Sequence, residues 1–365
     1  MIEIEKSVIG ASRFLQLHRG YNASTMKATR NLRRPRVLIV GCGDVGLRCV
    51  GHLLPYMRVV ALTSQLARCA ELRAAGVTPL VGDLDMRRSL RRLAGLASTV
   101  LHLAPPQKTG DDDRRTRALL AALTARRGGP ARSATIPVAR LRRLRGGLAV
   151  ERETGAIVPD RVARTARSRA APKIVYASTT GVYGDCGGAL IDETRTPRPA
   201  NARAKRRVSA EQQLRRATAR GAISASIARI PGIYAANRLP LARLEKRTPA
   251  LDDAHDVYTS HIQADDLAAI LVRMTTHGRP ARVIHASDDS EMKMGEYFDR
   301  VADAYGLARA PRVTREAAEQ QLDPMLLSFM RESRRLDNAR LKGELKVRLR
   351  YPSVDDFLRT THETN

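Results

Sequence analysis

The stretch VLIVGCGDVGLR joins an apolar strand to a helix through closely spaced glycines. Gly41, Gly43 and Gly46 fall directly after the predicted strand 36–40 and at the start of the predicted helix 44–54. In such a turn the first glycine permits a tight bend, the second lets backbone approach a pyrophosphate, and the third lets the helix pack on the strand. The helix N-terminus offers N–H donors to the anion. The motif therefore predicts dinucleotide binding; a glycine turn that serves packing alone is the alternative. The predicted contacts in this turn are Gly41, Cys42, Gly43, Asp44, Val45 and Gly46.

Strands and helices alternate after this turn. The predicted strands lie at 58–63, 78–84, 98–106, 173–178, 224–234 and 281–287. Strands that alternate with helices predict a parallel sheet with helices on both faces. The expected fold class is therefore α/β, a Rossmann-type doubly wound parallel sheet with a small C-terminal substrate lobe.

The same pattern divides the chain into regions. Residues 1–34 are predicted to be a disordered or mis-annotated N-terminal extension, with Met26 as a candidate start codon. Residues 35–125 and 171–290 form the predicted dinucleotide-binding Rossmann domain. The Arg-rich segment 126–170 lacks sustained periodicity, which predicts a poorly ordered insertion; a basic docking arm is the alternative. Residues 291–365 are predicted to form a small helical substrate lobe with a C-terminal segment.

The charge of the chain is strongly positive but unevenly distributed. Its 64 Lys and Arg residues against 37 Asp and Glu give a net charge of +27, which by itself suggests a polyanionic partner. Much of the excess lies in the Arg-rich segment, which has no helical or aromatic pattern, so nucleic-acid recognition is not predicted. The cysteines lack metal-ligand spacing, and no apolar run is long enough to span a membrane. We expect a cytoplasmic protein with a small-molecule substrate and without metal or membrane attachment; a homodimer is left open.

The residues after the second and third strands bear on which dinucleotide binds. NAD-binding proteins of this type place an acid after the second strand, where this chain has Thr63 and Ser64. Arg48 and Arg68 are nearby cations for a 2′-phosphate, although both are also ordinary helix residues. The prediction is NADP or NAD, with a slight preference for NADP. Asp83 is expected either to accept from the adenine amine or to cap the next helix. The predicted cofactor contacts at these strand ends are Thr63, Asp83, Leu84, Ala104 and Pro105.

The order of short motifs along the chain resembles one protein family. The motifs are VLIVGCGDVG, VGDLD, VLHLAPP, IVYASTTGVYGD, IDET, RIPGIY and HIQADDLAAI. This order resembles an atypical extended short-chain dehydrogenase/reductase of the NAD-dependent epimerase/dehydratase family, and within it the YeeZ-like subgroup. The resemblance covers 36–360 apart from the insertion. It implies a hydroxyl residue at a strand end, a tyrosine acid/base, and a lysine one helical turn after that tyrosine.

Mapped by this resemblance, only part of the expected catalytic group is present. The strand-end hydroxyl corresponds to Thr179, but the tyrosine and lysine positions hold Arg203 and Arg207. Arginine stays protonated and cannot act as acid or base, so Tyr183 is the candidate replacement acid, with a place in the pocket wall as its alternative. The two arginines share a helix face, which predicts either a clamp for a phosphate or carboxylate or two solvated residues. The predicted catalytic residues are Thr179 and Tyr183, the predicted substrate contacts are Thr180, Arg203 and Arg207, and the remaining predicted cofactor contacts are Ser178 and Pro231.

Other polar residues are assigned structural roles. Asp265 and Asp266 match a helix start, and one of them is expected to cap that helix or to pair with a buried arginine such as Arg229. His102 and His285 fall on apolar strands and are expected to be hydrogen-bonded core residues.

The resemblance and the residues leave two functions open. The preferred one is an NAD(P)-binding, epimerase/dehydratase-like oxidoreductase whose small substrate is anionic if the arginines bind it. The alternative is a catalytically inactive dinucleotide-binding sensor or partner protein. The retained hydroxyl cluster and the lobe favour the enzyme, and the missing tyrosine–lysine pair favours the alternative.

Overall fold

The computed structural model describes residues 34–125 and 170–362. The predicted N-terminal extension up to residue 33 and the predicted insertion over 126–169 therefore lie outside the described residues. In the part of the chain that is described, no helix combines the length and the apolar character needed to cross a membrane.

The described elements follow the predicted alternation. The strands are β1 Arg36–Val40, β2 Arg58–Thr63, β3 Thr78–Val81, β4 Thr99–His102, β5 Lys173–Thr179, β6 Leu190–Ile191, β7 Ser224–Ile230, β8 Gly232–Tyr234, β9 Ala250–Leu251, β10 Tyr258–Thr259, β11 His261–Gln263, β12 Val283–His285, β13 Met292–Lys293, β14 Arg312–Val313 and β15 Arg335–Leu336. The α-helices are α1 Asp44–Leu53, α2 Arg68–Ala74, α3 Arg114–Thr124, α4 Ala202–Ala219, α5 Leu241–Glu245, α6 Ala264–His277, α7 Met294–Ala304, α8 Arg315–Gln321, α9 Pro324–Phe329, α10 Ala339–Leu345 and α11 Val354–His362. Short 3₁₀ helices cover Arg87–Leu93, Thr180–Tyr183 and Ala236–Arg238.

The central sheet has seven strands in the order β12-β7-β5-β4-β1-β2-β3. Every neighbouring pair in it is parallel. The order reverses between β1 and β4, because the chain runs from β1 to β2 and β3 on one side and then continues at β4 on the other. Ligands of such sheets bind outside the carboxyl ends of the strands at this reversal. The predicted Rossmann-type α/β fold is confirmed.

Apolar layers cover both faces of the sheet. Val37 and Ile39 of β1 belong to one buried cluster, and Leu38 and Val40 belong to another. Successive side chains of a strand point to opposite faces, so the two clusters lie on opposite sides of β1. Helices α1 and α6 contribute to the first cluster, and α3 and α4 contribute to the second. Because both faces of these strands are buried, their sequences are almost continuously apolar.

The predicted strand 224–234 is divided in two by Pro231. β7 belongs to the central sheet, whereas β8 pairs with β11 in a separate two-stranded sheet. Proline has no N–H to donate and cannot continue the ladder of a central strand. The chain therefore leaves the sheet at this point, which places Pro231 and Gly232 at the carboxyl edge.

The C-terminal elements form an apolar cluster of their own. Tyr297 and Phe298 of α7 pack with Tyr234 of β8 and with Phe357 and Leu358 of α11. Tyr234 is the last residue of β8, which begins just after the end of β7, so this cluster lies next to the carboxyl edge of the sheet. It supplies aromatic side chains to the site described below.

Candidate functional site

A cavity of about 430 Å³ lies around the glycine loop, at the carboxyl ends of β1 to β4. We call it the glycine-loop cavity. The predicted cofactor residues that line it are Gly41, Cys42, Gly43, Thr63, Asp83, Leu84, Ala104 and Pro105. Gln65 and Arg115 also line it and were not predicted. The sheet thus brings together predicted contacts from four separate strand ends.

The loop itself leaves its backbone open to a ligand. Gly41 has a φ of +88°, and a Cβ there would meet the backbone nitrogen of Ala104 at 2.5 Å, so only glycine fits. A Cβ at Gly43 would meet nothing within 4 Å. Gly43 is the N-cap of α1 and provides no side-chain cap. No side chain caps the first N–H groups of α1, which belong to Asp44, Val45 and Gly46. These three predicted contacts follow Gly43 in the chain but do not line the cavity themselves.

The two cations predicted near the second strand have different surroundings. Arg48 donates to the carboxylates of Asp44 and Asp265, at 3.1 and 2.6 Å, and does not line the cavity. Arg68 lines the cavity and donates to the Cys42 carbonyl at 2.7 Å, while it pairs with Glu71. Of these two cations, only Arg68 lies where a ligand phosphate could reach it.

Asp83 and Cys42 both line the glycine-loop cavity. The Asp83 carboxylate accepts the backbone N–H of Asp85 at 2.9 Å, which stabilises the turn after β3. Burial raises the pKa of the Cys42 thiol to about 11. The thiol is therefore neutral at physiological pH and adds no negative charge beside the loop.

A second cavity, of about 300 Å³, lies at the carboxyl ends of β5 and β7. We call it the aromatic cavity, since Tyr258, Tyr297, Phe298 and Phe329 line it. The predicted residues that line it are Thr179, Thr180, Arg203 and Pro231. The charged and imidazole side chains that line it and were not predicted are Arg243, His261, Glu332 and Arg334. His261 is the first residue of the motif HIQADDLAAI, whereas the other three lie outside the motifs, in segments that only the fold brings to the edge of the sheet. β4 and β5 are neighbours, so both cavities share this carboxyl edge.

The candidate acid Tyr183 lies inside the protein and lines neither cavity. Its side chain is 1% exposed, and its hydroxyl is hydrogen-bonded to Nε2 of His285 at 2.5 Å. The Arg229 guanidinium packs over its ring at 4.6 Å. Burial raises the pKa of Tyr183 to about 12. This placement does not support proton transfer from Tyr183 to a substrate, nor a place for it in a pocket wall.

The predicted clamp of two arginines is not formed. Arg203 packs over the Phe329 ring at 4.6 Å in the wall of the aromatic cavity. Arg207 instead donates to the Ala177 carbonyl at 2.7 Å and to the Tyr176 hydroxyl at 3.1 Å, and it lines neither cavity. The difference arises because the end of β5 offers acceptors to Arg207, whereas Arg203 lies one turn nearer the N-terminus of α4.

A buried ion pair joins α4 to β7. Asp265 and Asp266 were expected either to cap α6 or to pair with a buried arginine such as Arg229; the N-cap of α6 is Gln263, and Nη2 of Arg229 lies 2.7 Å from Oε2 of Glu211 instead. The two side chains are 2% and 3% exposed. The Ser178 hydroxyl also donates to Glu211, at 2.7 Å. Ser178, a predicted cofactor contact, is thus directed into this pair and lines neither cavity.

The expected core roles of His102 and His285 are confirmed. His102 is 1% exposed and is hydrogen-bonded to the Thr116 hydroxyl at 2.9 Å. His285 is fully buried, and its Nδ1 is hydrogen-bonded to the Asp337 carbonyl at 2.9 Å. Burial lowers the pKa of His102 to about 3 and that of His285 to about 4. Both imidazoles are therefore neutral structural groups.

The chain was compared with models of protein families and with solved structures. The model of the NAD dependent epimerase/dehydratase family matches residues 151–286. A conserved protein of unknown function from Silicibacter pomeroyi is 25% identical, with a TM-score of 0.66, over 90% of this chain and 99% of that one. DesIV, a dTDP-glucose 4,6-dehydratase from Streptomyces venezuelae solved with NAD, is 17% identical, with a TM-score of 0.64, over 90% of this chain and 96% of that one. A UDP-glucose 4-epimerase from Thermotoga maritima, solved with UDP-glucose, is 14% identical, with a TM-score of 0.63, over 90% of this chain and 97% of that one.

A search among curated proteins returned no match. The resemblance to the YeeZ-like subgroup therefore stays a prediction. Residues 151–286 match the model of the NAD dependent epimerase/dehydratase family, and the fold of the described residues is similar to that of DesIV and the other solved structures.

Proposed function

We propose that this protein is an epimerase/dehydratase-like oxidoreductase that uses a nicotinamide dinucleotide and acts on a small anionic substrate. The observation that carries the proposal is the pair of cavities on one sheet edge. The glycine-loop cavity opens onto bare backbone and a helix N-terminus, and the aromatic cavity beside it contains arginines. A nicotinamide dinucleotide, when bound, accepts or donates a hydride.

The residues of the glycine-loop cavity suit a pyrophosphate. Gly41 allows the close contact of β1 with the Ala104 backbone, and Gly43 leaves open space above the start of α1. The uncapped N–H groups of α1 would donate to the pyrophosphate oxygens. The predicted preference for NADP rests on the absence of an acid directly after the second strand, where the chain has Thr63 and Ser64, and on Arg68, which lines the cavity. DesIV was solved with NAD.

Calorimetric titration with NAD⁺, NADH, NADP⁺ and NADPH tests the cofactor. We expect at least one to bind with 1:1 stoichiometry, and a preference for the phosphorylated pair would support the role of Arg68. Absence of binding by all four would contradict the proposal and would turn the search to a protein partner.

Arg243 is the main support for an anionic substrate. It lines the aromatic cavity, and its guanidinium packs over the Phe298 ring at 4.2 Å. It donates to the Pro249 carbonyl at 2.9 Å, but no carboxylate among the described residues pairs with it. Burial lowers the pKa of Arg243 to about 10, so it stays charged at neutral pH. A half-buried cation without a counter-ion favours an anionic ligand, and a phosphate or carboxylate supplies the acceptors that it lacks.

The variant Arg243→Gln is expected to weaken binding of UDP-glucose, the probe anion, by about 10- to 100-fold, since hydrogen bonds to charged groups contribute about 1.5–3 kcal/mol. Calorimetry on protein saturated with dinucleotide gives the dissociation constants of UDP-glucose for the wild type and for Arg243→Gln. Arg309→Gln is the matched control, because Arg309 is 62% exposed and pairs with Asp303 outside both cavities. Equal affinities in wild type and Arg243→Gln would contradict the anion site.

The inactive sensor or partner protein remains the second candidate. Arg203 and Arg207 at the positions of the expected tyrosine and lysine favour it, as does the burial of Tyr183. The cytoplasmic location and the homodimer predicted from the sequence stay predictions. What decides between enzyme and sensor is whether the aromatic cavity contains another group that can transfer a proton.

A further inference from the structure

His261 combines a position in the wall of the aromatic cavity with ring nitrogens that have no partner. It is the first residue of β11, and its side chain is 6% exposed. Nδ1 is buried without a hydrogen bond, and Nε2 makes none within the described residues. This distinguishes it from His102 and His285, which are both hydrogen-bonded through Nε2. A nearly buried imidazole without a partner in a cavity wall is free to bond a ligand.

The ring of His261 is oriented by its neighbours. Tyr297 of α7 stacks on it, with ring centroids 4.3 Å apart and an interplanar angle of 28°. Tyr234 of β8 meets it edge-on at 6.4 Å. On its other edge, Cδ2 lies 3.2 Å and Nε2 lies 3.7 Å from the position that a Cβ on Gly232 would take. Gly232 also lines the cavity, so the Nε2 edge borders the cavity wall next to Pro231.

The groups around the imidazole keep it neutral. Burial lowers the pKa of His261 to about 4. The titratable groups that face it are Tyr234 and Tyr297, and burial raises the pKa of both hydroxyls well above the usual value. Asp288 lies behind it and donates its backbone N–H to the His261 carbonyl at 2.8 Å. Burial raises the pKa of Asp288 to about 8, so this carboxyl is also mostly neutral at pH 7.

Nδ1 of His261 is buried and has no hydrogen-bond partner among the described residues. With the ring proton on Nδ1, the Nε2 lone pair is directed to the cavity side. This is the tautomer that a general base requires.

We propose that His261 is the catalytic base of the aromatic cavity, in place of the family's tyrosine; this rests on the proposed function. As an alcohol substrate is oxidised, the hydroxyl proton passes to Nε2, and the carbinol C–H bond breaks with its electron pair leaving as hydride to the oxidised nicotinamide. A C=O bond forms on the substrate. The imidazolium then releases its proton to solvent.

The other titratable groups of the aromatic cavity are less suited to this role. Glu332 is paired with Arg334 at 2.9 Å. Tyr297 is stacked on His261, and its raised pKa makes it a poor base. Tyr258 is the strongest competitor, since it lines the aromatic cavity and the Arg335 guanidinium packs over its ring at 5.1 Å from the centroid. The test therefore includes a Tyr258 variant.

The first part of the test needs no substrate. Nitrogen-15 NMR of histidine-labelled protein is expected to show His261 neutral at pH 7, with the proton on Nδ1 and a pKa near 4. Diethylpyrocarbonate at pH 7 is expected to modify His261, to leave His102 and His285 unmodified, and to be slowed by UDP-glucose. A charged imidazole, a proton on Nε2, or an unreactive His261 would overturn the proposal.

The second part measures hydride transfer, followed as reduced nicotinamide absorbance with UDP-glucose or with the first sugar phosphate that the wild type oxidises. His261→Gln is expected to lower the rate by at least about 100-fold, because general base catalysis contributes about 10²–10⁴-fold. Its affinity for the dinucleotide is expected to be unchanged. The control is His255→Gln, since His255 is 36% exposed, pairs with Asp252 and lines neither cavity.

The two proposals fail in different ways. Wild-type protein that binds no dinucleotide would contradict the proposed function, whatever the state of His261. Dinucleotide binding with an undiminished rate in His261→Gln would overturn the catalytic base alone. A loss of rate in Tyr258→Phe without a loss in His261→Gln would assign the proton transfer to Tyr258 instead.

Discussion

Gly43→Asp is expected to raise the dissociation constant for a nicotinamide dinucleotide by at least about 100-fold while the protein stays folded. The new carboxylate would face the pyrophosphate above the start of α1. Two like charges about 4 Å apart at an effective dielectric constant of about 20 repel by roughly 4 kcal/mol, and salt lowers this only in part. Calorimetric titration of both proteins with the dinucleotide that the wild type binds gives the two constants.

The fold is expected to tolerate this change. A Cβ at Gly43 would meet nothing within 4 Å, and the φ of −84° is accessible to any residue. Asp is also a favourable N-cap, so α1 gains a cap that it now lacks. Gly43→Asn is the matched control, because it has the same size and cap without the charge. An unchanged dissociation constant in the Asp variant would contradict the assignment of the glycine loop, and equal losses in both variants would point to size rather than charge.

Glu211→Gln is expected to lower the free energy of unfolding by about 3–5 kcal/mol, since it leaves a buried guanidinium without a counter-charge. Arg229 is 2% exposed, and Nη2 and Nε bond the two carboxylate oxygens at 2.7 and 3.1 Å. The pair ties α4 to β7, and the Ser178 hydroxyl joins it from β5. Urea unfolding followed by circular dichroism measures the effect.

An exposed ion pair supplies the control for this prediction. Asp303 and Arg309 are 52% and 62% exposed, and Asp303→Asn is expected to leave the unfolding free energy almost unchanged. Replacing both buried partners, as Glu211→Leu with Arg229→Met, is expected to cost less than Glu211→Gln alone, because no charge is then left unpaired. A loss below about 1 kcal/mol in Glu211→Gln would show that water reaches Arg229.

The glycine-loop side of the site was predictable because its information is local. Gly41, Gly43 and Gly46 follow one another within a single turn, and each strand end that contributes to the cavity is marked by the apolar run before it. A parallel sheet then places all these strand ends on one edge. The position of a residue in the sequence did not determine where its side chain points. Ser178 was predicted at that edge, but its hydroxyl donates to Glu211 inside the core.

The aromatic cavity was predictable only in part. Thr179, Thr180 and Pro231 lie in motifs that follow strands, so their place could be inferred. Arg243 lies outside the motifs, and His261 begins the motif HIQADDLAAI. The environment of both side chains depends on how the C-terminal elements pack beside the sheet. Tyr183 is the opposite case. Its position near the end of a strand suggested that it lines a cavity, but its side chain is buried against His285.

The amino-acid sequence by itself determined the order of strands and helices, the parallel sheet, and the turn that suits a pyrophosphate, because these depend on periodicity and on the backbone freedom of glycine. Only the tertiary structure decided which charged and titratable side chains reach the cavities. That outcome depends on burial and on partners that are distant in the sequence. Arg229 pairs with Glu211, and Arg207 donates to the end of β5. Within the described residues, Arg243 has no counter-ion and the ring of His261 has no hydrogen bond.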